Sequence, residues 1–363
     1  MHTIAFTGGG TGGHIYPGLA VAVALKARLD CRLVWIGADG GMDRSLVEAA
    51  GIEFRGVPSG KLRRYFSLKN AADVLRVLAG FFASRRILHE LRPSLLFSKG
   101  GFVSVPPCAA AASLGIPVFT HESDYSPGLA TRLNARWAER ILVAYPETVA
   151  ALPQRAREKA VVTGNPVRAD FRKALAEAGR RFLGIGPEER VLLVLGGSQG
   201  ARQVNELVWA VLPKLLETYI VVHQTGPGLA AEAPSASGYK PYEYLRDELP
   251  SILAAAELVV GRSGAGTVWE AATAGKPMVL VPLCGSGTRG DQVENAAYFE
   301  KKGAAFSLEG EKAKAVNFAE AIGRISGDPG LRSRMASEAA LLGALDSTRL
   351  CTDLILDRLG GHP

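Results

Sequence analysis

Short apolar runs alternate with longer stretches of helical periodicity along most of the chain. The apolar runs are residues 3–6, 32–36, 94–97, 117–120 and 140–143, followed by 190–195, 220–224, 258–260, 277–281 and 304–307. Continuous apolar runs are typical of strands covered on both faces, and strands joined through helices pair in parallel. Because each half holds about five such strands, the pattern predicts an α/β protein with two doubly wound, parallel-sheet domains.

Both halves open with a strand that runs into a glycine turn and then into a helix. The first half reads TIAF followed by TGGGTGGH, and the second reads VLLVL followed by GGSQGA. Gly164-Asn165-Pro166 interrupts the alternation in the way that a linker does. We therefore predict a first domain of residues 1–163, joined by a C-terminal helix at about 343–363, and a second domain of residues 164–342.

Composition excludes several classes of protein. With 363 residues, of which 47% are hydrophobic and 21% charged, the chain can bury a sizeable core and is neither disordered nor fibrous. Four isolated cysteines, without paired histidines, predict reduced thiols in a reducing compartment and argue against a disulfide framework or a zinc site. No cofactor is expected. We find no signal segment and no apolar run of about 18 residues, so any membrane contact is expected to be peripheral.

The positive charge lies in the first half. Residues 1–160 hold 20 Lys/Arg against 12 Asp/Glu, whereas the remainder holds 22 against 23. Residues 61–92 alone carry eight basic side chains against Asp73 and Glu90. This distribution favours an anionic partner.

The same basic stretch has an apolar stripe. Val74, Leu78, Phe81 and Phe82 fall on one face of a predicted helix. An apolar stripe with a basic fringe is typical of a helix that lies on an anionic bilayer, while the alternative is a stripe that packs on the sheet below solvated arginines. Nucleic acid is not expected as a partner, because neither a recognition motif nor interleaved aromatic residues accompany the charge.

The first glycine loop permits two interpretations. Gly8, Gly10 and Gly13 satisfy G-x-G-x-x-G, and Asp39 ends the next strand where a ribose-binding acid is found in dinucleotide-binding folds. However, His14 follows directly, and an imidazole beside backbone amides indicates acid–base chemistry. The alternative for His14 is that it only caps or packs the helix.

Three further loops follow predicted strands. They are residues 98–104, 196–200 and 261–271, and ligands of α/β proteins bind at such strand ends. Glu270 is placed to accept hydrogen bonds from ribose hydroxyls, or is simply a favourable acid in the first turn of a helix. Asp291, Gln292 and Asn295 follow a mobile loop and suit sugar hydroxyls, the alternative being a helix cap at Asp291.

Seven motifs occur in one order between residues 8 and 296. They read GGGTGGHIYPGLA, SKGGFVSVP, HESDYSPGLATRLN, GNPVR, GGSQGARQVN, RSGAGTVWEA and DQVENA. This set closely resembles the MurG family of glycosyltransferases. The resemblance implies a GT-B fold, with two Rossmann-like domains facing a cleft. It also implies inverting, metal-independent transfer of N-acetylglucosamine from UDP-N-acetylglucosamine to the 4-hydroxyl of the N-acetylmuramyl unit of lipid I. The product is lipid II for peptidoglycan, made at the cytoplasmic face of the inner membrane.

The resemblance also implies residue roles, with His14 as the general base. Arg168 and Ser198 would hold the diphosphate, Glu270 the ribose, and Asp291 and Gln292 the N-acetylglucosamine. The full implied substrate-binding set is Thr11, Gly12, Gly13, Asp124, Arg168, Ser198, Ala265, Gly266, Thr267, Glu270, Asp291, Gln292 and Asn295.

The sequence departs from the family pattern at three places. The usual His-Glu-Gln-Asn is His121-Glu122-Ser123-Asp124, Phe102 stands where Tyr is common, and residues 244–247 lack the expected uracil-contacting pattern. The alternatives to the family's reaction are a nicotinamide-dependent oxidoreductase that uses the first loop, another UDP-sugar enzyme of the same fold (a transferase or an epimerase), and a sugar-nucleotide sensor.

Overall fold

The computed structural model describes residues 1–10, 12–40, 42–60, 69–197, 199–285 and 288–360. The chain divides into two compact units, Met1–Arg168 with Asp346–Pro363, and Ala169–Leu345. The boundaries predicted from the sequence, after residue 163 and near residue 343, lie a few residues earlier. The second unit is continuous in sequence, whereas the first is made from both ends of the chain.

The first unit begins with seven strands alternating with helices. In chain order its elements are β1 (His2–Thr7), α1 (Gly12–Lys26), β2 (Cys31–Ala38), α2 (Met42–Ala49), β3 (Glu53–Val57), α3 (Lys69–Leu91), β4 (Leu95–Ser98), α4 (Val105–Ser113), β5 (Val118–Glu122), α5 (Leu129–Asn134), β6 (Arg140–Val143), α6 (Thr148–Ala151), α7 (Gln154–Arg157) and β7 (Ala160–Val162).

The strands of the first unit form one parallel sheet in the order β3-β2-β1-β4-β5-β6-β7. Both faces of its centre are buried, because Ile4 and Phe6 of β1 point into one core and Ala5 points into the other. The strand order changes direction between β1 and β4. Ligands bind above such a reversal in doubly wound folds.

The second unit repeats the pattern with six strands. Its elements are α8 (Ala169–Lys173), α9 (Ala176–Leu183), β8 (Val191–Leu195), α10 (Arg202–Leu216), β9 (Ile220–Gln224), β10 (Tyr239–Tyr242), α11 (Leu249–Ala255), β11 (Leu258–Gly261), α12 (Ala265–Thr273), β12 (Met278–Leu280), α13 (Asp291–Lys301), β13 (Ala305–Ser307), α14 (Ala315–Gly327) and α15 (Pro329–Gly343). The sheet order is β10-β9-β8-β11-β12-β13, again parallel, with its reversal between β8 and β11. The predicted class, two doubly wound parallel sheets, is confirmed.

The last helix, α16 (Ser347–Arg358), returns to the first unit. Cys351, Ile355 and Leu356 lie in the same buried cluster as Ile4 and Trp35. The Thr348 hydroxyl donates to the Val167 carbonyl oxygen at 2.7 Å. The end of the chain therefore completes a core that its beginning opens.

The long helix α3 differs in part from its prediction. Val74, Leu78 and Phe82 are exposed as predicted, at 46%, 50% and 66%, and Leu75 joins them at 67%. Phe81 instead packs against the buried cluster that contains Leu88, so its placement on the exposed stripe was wrong. Residues 61–68, which carry part of the predicted basic fringe, lie outside the described residues. Among the residues that the structure describes, no helix is both long and apolar enough to cross a membrane.

Candidate active site

Two glycine loops of the first unit lie side by side where its strand order reverses. The Lys99 N–H donates to the Thr7 carbonyl oxygen at 2.8 Å, which joins the end of β4 to the end of β1. A Cβ atom added to Gly8 would lie only 3.0 Å from the Lys99 Cβ. Close packing therefore requires glycine here, and it brings the backbones of both loops to one place.

His14 lies in the first turn of α1, against the second glycine loop. Gly101 has φ of 76°, and a Cβ there would lie 2.8 Å from the Gly9 carbonyl oxygen and 3.2 Å from His14 Cδ2. Glycine is required by both its backbone conformation and its contacts. Of the neighbouring predicted residues, Gly12 is buried and Gly13 is exposed, while Thr11 lies outside the described residues.

Asp43, in the first turn of α2, lies over the first glycine loop and was not predicted. Its side chain is 2% exposed and accepts hydrogen bonds from the Gly10 N–H at 3.1 and 3.3 Å. Burial raises the pKa of this carboxyl group, and the Gly10 hydrogen bond and the His14 charge oppose the increase. The sequence signal was an acid one helical turn beyond β2, at the same strand ends as His14.

Asp124 follows β5 on a loop that Glu122 holds in place. The buried Glu122 carboxylate accepts from the N–H groups of Ser123, Asp124 and Gly128 at 3.0, 3.1 and 2.8 Å. It also accepts from the Thr131 hydroxyl at 2.7 Å. Asp124 itself is half-buried. Its backbone is therefore fixed and its side chain remains partly accessible.

The Phe102 ring packs on the first glycine loop. A Cβ added to Gly10 would lie 2.8 Å from Phe102 Cε1. The ring contact needs no hydroxyl, so the departure from Tyr keeps the packing of the loop.

In the second unit, α12 begins directly after the reversal of strand order. Ala265, Gly266 and Thr267 form its first turn, after Gly264 at the N-cap. The first amide groups of a helix have no partner within the helix, and the helix dipole adds partial positive charge. This helix start is therefore suited to an anion. Glu270, one turn further on, is half-buried.

Asn295 and Gln292 of α13 hold the loops around the α12 start. The fully buried Asn295 amide donates to the Ser263 carbonyl oxygen at 3.1 Å. The Ser263 hydroxyl donates to the Gln292 carbonyl oxygen at 2.7 Å, and Gln292 Oε1 accepts from the Leu283 N–H at 3.0 Å. Asp291 begins α13, with its carboxylate 3.7 Å from the Arg289 guanidinium. Asn295, Ser263, Gln292 and Leu283 therefore form one hydrogen-bonded group, of which Ser263 and Leu283 were not predicted, and Asp291 directly precedes Gln292 in the same helix.

Arg168 and Ser198 were both predicted to hold the diphosphate. Arg168 belongs to the first unit, where its guanidinium carbon lies 6.0 Å from the centre of the Tyr16 ring. Ser198 lies outside the described residues. Among the described part of the chain, no group of three or more His, Cys, Asp and Glu side chains is arranged to hold a metal ion.

Two family models match the chain. Residues 4–143 match the glycosyltransferase family 28 N-terminal domain, and residues 191–348 match the glycosyltransferase family 28 C-terminal domain. These ranges cover more than half of the sequence. The first range lies in the first unit, and the second lies in the second unit except for its last residues, 346–348. Neither model is that of a nicotinamide-dependent enzyme, so the oxidoreductase alternative is not supported.

Curated relatives agree over nearly the whole length. A protein of Treponema denticola is 50% identical over 94% of each chain and is named UDP-N-acetylglucosamine--N-acetylmuramyl-(pentapeptide) pyrophosphoryl-undecaprenol N-acetylglucosamine transferase. A protein of Staphylococcus carnosus with the same name is 41% identical over 90% of this chain and 89% of its own.

Solved structures share the fold. The crystal structure of Acinetobacter baumannii MurG has a TM-score of 0.75 at 24% identity, covering 98% of this chain and 99% of that one. The UDP-GlcNAc 2-epimerase from Neisseria meningitidis has a TM-score of 0.70 at 13% identity, covering 98% and 100%. Identities this low are evidence of fold alone. The two family models and the closely matching relatives together establish the family: this chain is a glycosyltransferase of family 28, and it belongs to the MurG transferases.

Proposed function

We propose that this chain transfers N-acetylglucosamine from UDP-N-acetylglucosamine to the 4-hydroxyl of the N-acetylmuramyl unit of lipid I, with inversion at the anomeric carbon. The observation that carries the proposal is the position of His14, in the first turn of α1 against the loops that follow β1 and β4. The relatives also support the proposal, because a transferase that carries this reaction in its name is 50% identical over 94% of the chain.

His14 is the general base of the proposed reaction. Its imidazole accepts the proton of the acceptor 4-hydroxyl while that oxygen attacks the anomeric carbon of the donor. The bond from the anomeric carbon to the diphosphate oxygen breaks in the same displacement, so UDP leaves with the electron pair and the configuration inverts. Asp43 supports the step, because a carboxylate near an imidazole favours the protonated ring.

The donor contacts are assigned mainly to the second unit. The first turn of α12, at Ala265, Gly266 and Thr267, offers amide donors to the diphosphate, and these stabilise the charge that UDP gains on leaving. Glu270 accepts from the ribose hydroxyls.

The remaining proposed donor contacts are with the sugar and the diphosphate. Asp291 and Gln292 contact the sugar, and Asn295 acts from the buried side by holding Ser263. The proposed contributions of the first unit are Thr11, Gly12, Gly13, Asp124 and Arg168, and Ser198 completes the diphosphate contacts.

The test is transfer from radiolabelled UDP-N-acetylglucosamine to a short-chain lipid I analogue. We expect His14→Ala to lower kcat by about 100-fold to 10,000-fold, since that is the usual contribution of a general base, with donor affinity little changed. His89→Ala is the matched control, because His89 is an exposed histidine of the same unit. Full activity of His14→Ala would exclude His14 as the base, and no transfer by the wild-type protein would refute the acceptor.

The exposed stripe of α3 supports peripheral binding to the anionic, cytoplasmic face of the inner membrane. Val74, Leu75, Leu78 and Phe82 are at least 46% exposed, and Arg76, Arg85 and Arg86 are exposed on the same helix. Apolar side chains enter the boundary of the acyl chains, and each nearby cation contributes about 1 kcal/mol at an anionic surface.

Co-sedimentation with vesicles tests the membrane proposal. We expect Leu78→Ser with Phe82→Ser to release the protein from vesicles of phosphatidylglycerol and phosphatidylethanolamine. Val316→Ser is the matched control, because Val316 is 76% exposed in the second unit. If the stripe variant and the control bind vesicles equally, the stripe of α3 is not the membrane-binding surface. That result would leave the proposed reaction untouched, because the transfer assay tests it separately.

A further inference from the structure

A pocket lies at the amino ends of two central strands of the second unit. Its volume is about 310 Å³, which is at the lower end of the range for small-molecule sites. Its wall includes Glu257, which directly precedes β11, and Lys276, which lies two residues before β12. The proposed donor contacts follow β11 at the opposite end of this sheet, so the pocket is separate from them.

Positive charge exceeds negative charge at this pocket. The Glu257 carboxylate accepts from Arg190 Nη2 at 2.5 Å and from the Tyr219 hydroxyl at 2.9 Å. Arg332 lines the pocket together with Lys276, and its guanidinium lies 3.6 Å from the same carboxylate. Three cations therefore face one carboxylate, an excess of two positive charges. Residues 161–363 as a whole are nearly neutral, with 22 Lys/Arg against 23 Asp/Glu.

The two lining cations have hydrogen-bond donors to spare. Within the part of the chain that the structure describes, Lys276 Nζ makes one hydrogen bond, to the Ala254 carbonyl oxygen at 2.8 Å. An ammonium has three donors, so two remain. Arg332 Nη1 donates to the carbonyl oxygens of Ile325 and Ser326 at 3.3 and 3.1 Å, whereas Nε and Nη2 have no acceptor among the described residues. The pocket thus offers donors from two sides.

These cations are not explained by the packing of the second unit alone. Lys276 is half-buried, and its single hydrogen bond only holds the last turn of α11. Burial lowers the pKa of Lys276 to about 8, Arg180 lowers it further, and Glu257 opposes the decrease. The ammonium is still charged at neutral pH, and a partly buried charge beside other cations is unfavourable without an anion. A bound anion would remove this cost.

The lining indicates which anion fits. Lysine, arginine and the hydroxyl of Ser333 are typical ligands of phosphate oxygens. The rest of the wall is apolar and is formed by Ala256, Pro277, Pro329 and Ala336. We propose that this pocket binds a small soluble phosphate monoester, with its phosphate on Lys276, Arg332 and Ser333 and its carbon atoms against the apolar wall. The proposal does not depend on the proposed transfer reaction.

The test is titration of the full chain with inorganic phosphate, followed by phosphorus NMR at pH 7.0, constant ionic strength and saturating UDP, which occupies the proposed diphosphate contacts. Lys276→Met and Arg332→Gln should each weaken phosphate binding about ten-fold, since hydrogen bonds to charged groups contribute that much. Glu257→Gln should tighten binding about three-fold, because it removes a carboxylate that repels the anion. Lys214→Met, at an exposed lysine of α10, is the matched control and should bind like wild type.

The opposite signs of these effects separate a binding role from a structural one. Lys276→Arg keeps the charge and should bind within about three-fold of wild type. Without phosphate, Lys276→Met should unfold at the same temperature as wild type or higher, because it removes a partly buried cation. If Lys276→Met does not fold, Arg332→Gln and Glu257→Gln still decide the matter. Equal affinity in wild type and in these variants would overturn the proposal, and so would binding that UDP abolishes.

Two further probes identify the kind of phosphate. Phenyl phosphate should bind about three-fold tighter than inorganic phosphate, because its ring contacts the apolar wall. Weaker binding of phenyl phosphate would overturn the assignment to an ester. Vesicles of phosphatidylglycerol should not displace the phosphate, since none of the residues that line the pocket is an exposed large apolar side chain. Displacement by vesicles would assign the pocket to a lipid headgroup and overturn a soluble ligand.

Discussion

The two units share a fold but differ in where their titratable groups lie along the sheets. In the first unit, Asp43, Lys99 and His121 lie at or after the carboxyl ends of strands, where the glycine loops are. In the second unit, Tyr219, Glu257 and Lys276 stand just before β9, β11 and β12, at the amino ends. Ligands of doubly wound folds bind at the carboxyl ends. The first unit places several titratable groups there, whereas in the second unit the buried His223, next to the last residue of β9, is enclosed by its partners Tyr239 and Asn205.

The carboxyl ends of the second sheet are built differently. Buried Ser263 and Asn295 and the start of α12 are neutral, and Arg262 is the cation among them. Neutral amides and a helix start hold an anion without exchanging protons. This difference supports the proposed division of roles, in which the first unit supplies the base and the second unit holds the charged donor.

The largest expected effect is a loss of folding stability at low pH, caused by the buried His223 of the second unit. It tests the comparison because His223 is a titratable group in the unit whose strand ends are otherwise mostly neutral. Burial lowers the pKa of His223 to about 4 from a usual value of 6.5, so the folded state favours the neutral ring. The stabilisation is therefore complete above about pH 6.5 and is lost as the pH falls towards 4, by about 3 kcal/mol. Its ring accepts from the Tyr239 hydroxyl and donates to Asn205, at 2.8 and 3.1 Å.

Urea unfolding at pH 7.5, 5.5 and 4.5 measures this loss. Trp209, with its ring centre 6.4 Å from that of His223, provides a fluorescence signal in the second unit. His223→Gln should flatten the pH dependence, and His2→Gln, at a partly exposed histidine, is the control. An unchanged slope in His223→Gln would mean that His121 or the carboxylates cause the acid sensitivity.

The second prediction tests whether the charged groups at the amino ends of the second sheet stabilise the folded state. Glu257 accepts from Arg190 Nε at 3.0 Å and from the Tyr219 hydroxyl at 2.9 Å, and Arg332 lies 3.6 Å away. Glu257→Gln keeps the shape but leaves two guanidinium groups without a carboxylate. We expect a loss of about 2 kcal/mol in unfolding free energy, below the value for a fully buried pair because the groups are partly exposed.

Transfer by Glu257→Gln should be unchanged at a temperature where the variant is folded. Glu188→Gln, at an exposed acid of the same unit, should change neither property. A lower kcat in the Glu257 variant would show that the amino end of the second sheet also contributes to catalysis.

The smallest expected effect is on kcat. It tests whether the Asp43 carboxylate, at the carboxyl ends of the strands of the first unit, contributes to the proposed reaction. Asp43→Asn retains an acceptor for the Gly10 N–H but loses the charge that favours a protonated His14. We expect kcat to fall about ten-fold, and the acidic limb of the pH–rate profile to move to lower pH. Asp39→Asn is the control, because Asp39 is an exposed acid beyond β2. A stability loss without a shift of the limb would give Asp43 a structural role only.

The sequence was informative about the sheets where they are buried on both faces. The three strands that it missed, β3, β7 and β10, all lie at sheet edges. Their sequences, EFRGV, AVV and YKPY, are short or contain polar residues and proline. An edge strand has one neighbour and needs no continuous apolar run, so these three strands lack the signal that identified the central ones. The fourth edge strand, β13, does have an apolar run and was predicted at residues 304–307.

The site residues that could be predicted are those whose pattern lies within a short stretch of sequence. The first glycine loop and His14 occupy one stretch of sequence, whereas Asp43 reaches Gly10 across 33 positions and Lys99 reaches Asn165 across 66. Phe81 and Phe82 are adjacent and equally apolar, yet only tertiary packing decides which one faces the core. Such contacts depend on the fold and have no signature in a short window.

The return of α16 to the first unit has a consequence for the order of assembly. The strand β1 leaves the ribosome before the second unit, but its core includes Cys351, Ile355 and Leu356, which are synthesised after that unit. The second unit is continuous and is complete before them. Domains generally mature in the order of their synthesis. Here the core of the first unit cannot be completed until the second unit has been synthesised, so the order of synthesis alone does not decide which unit matures first.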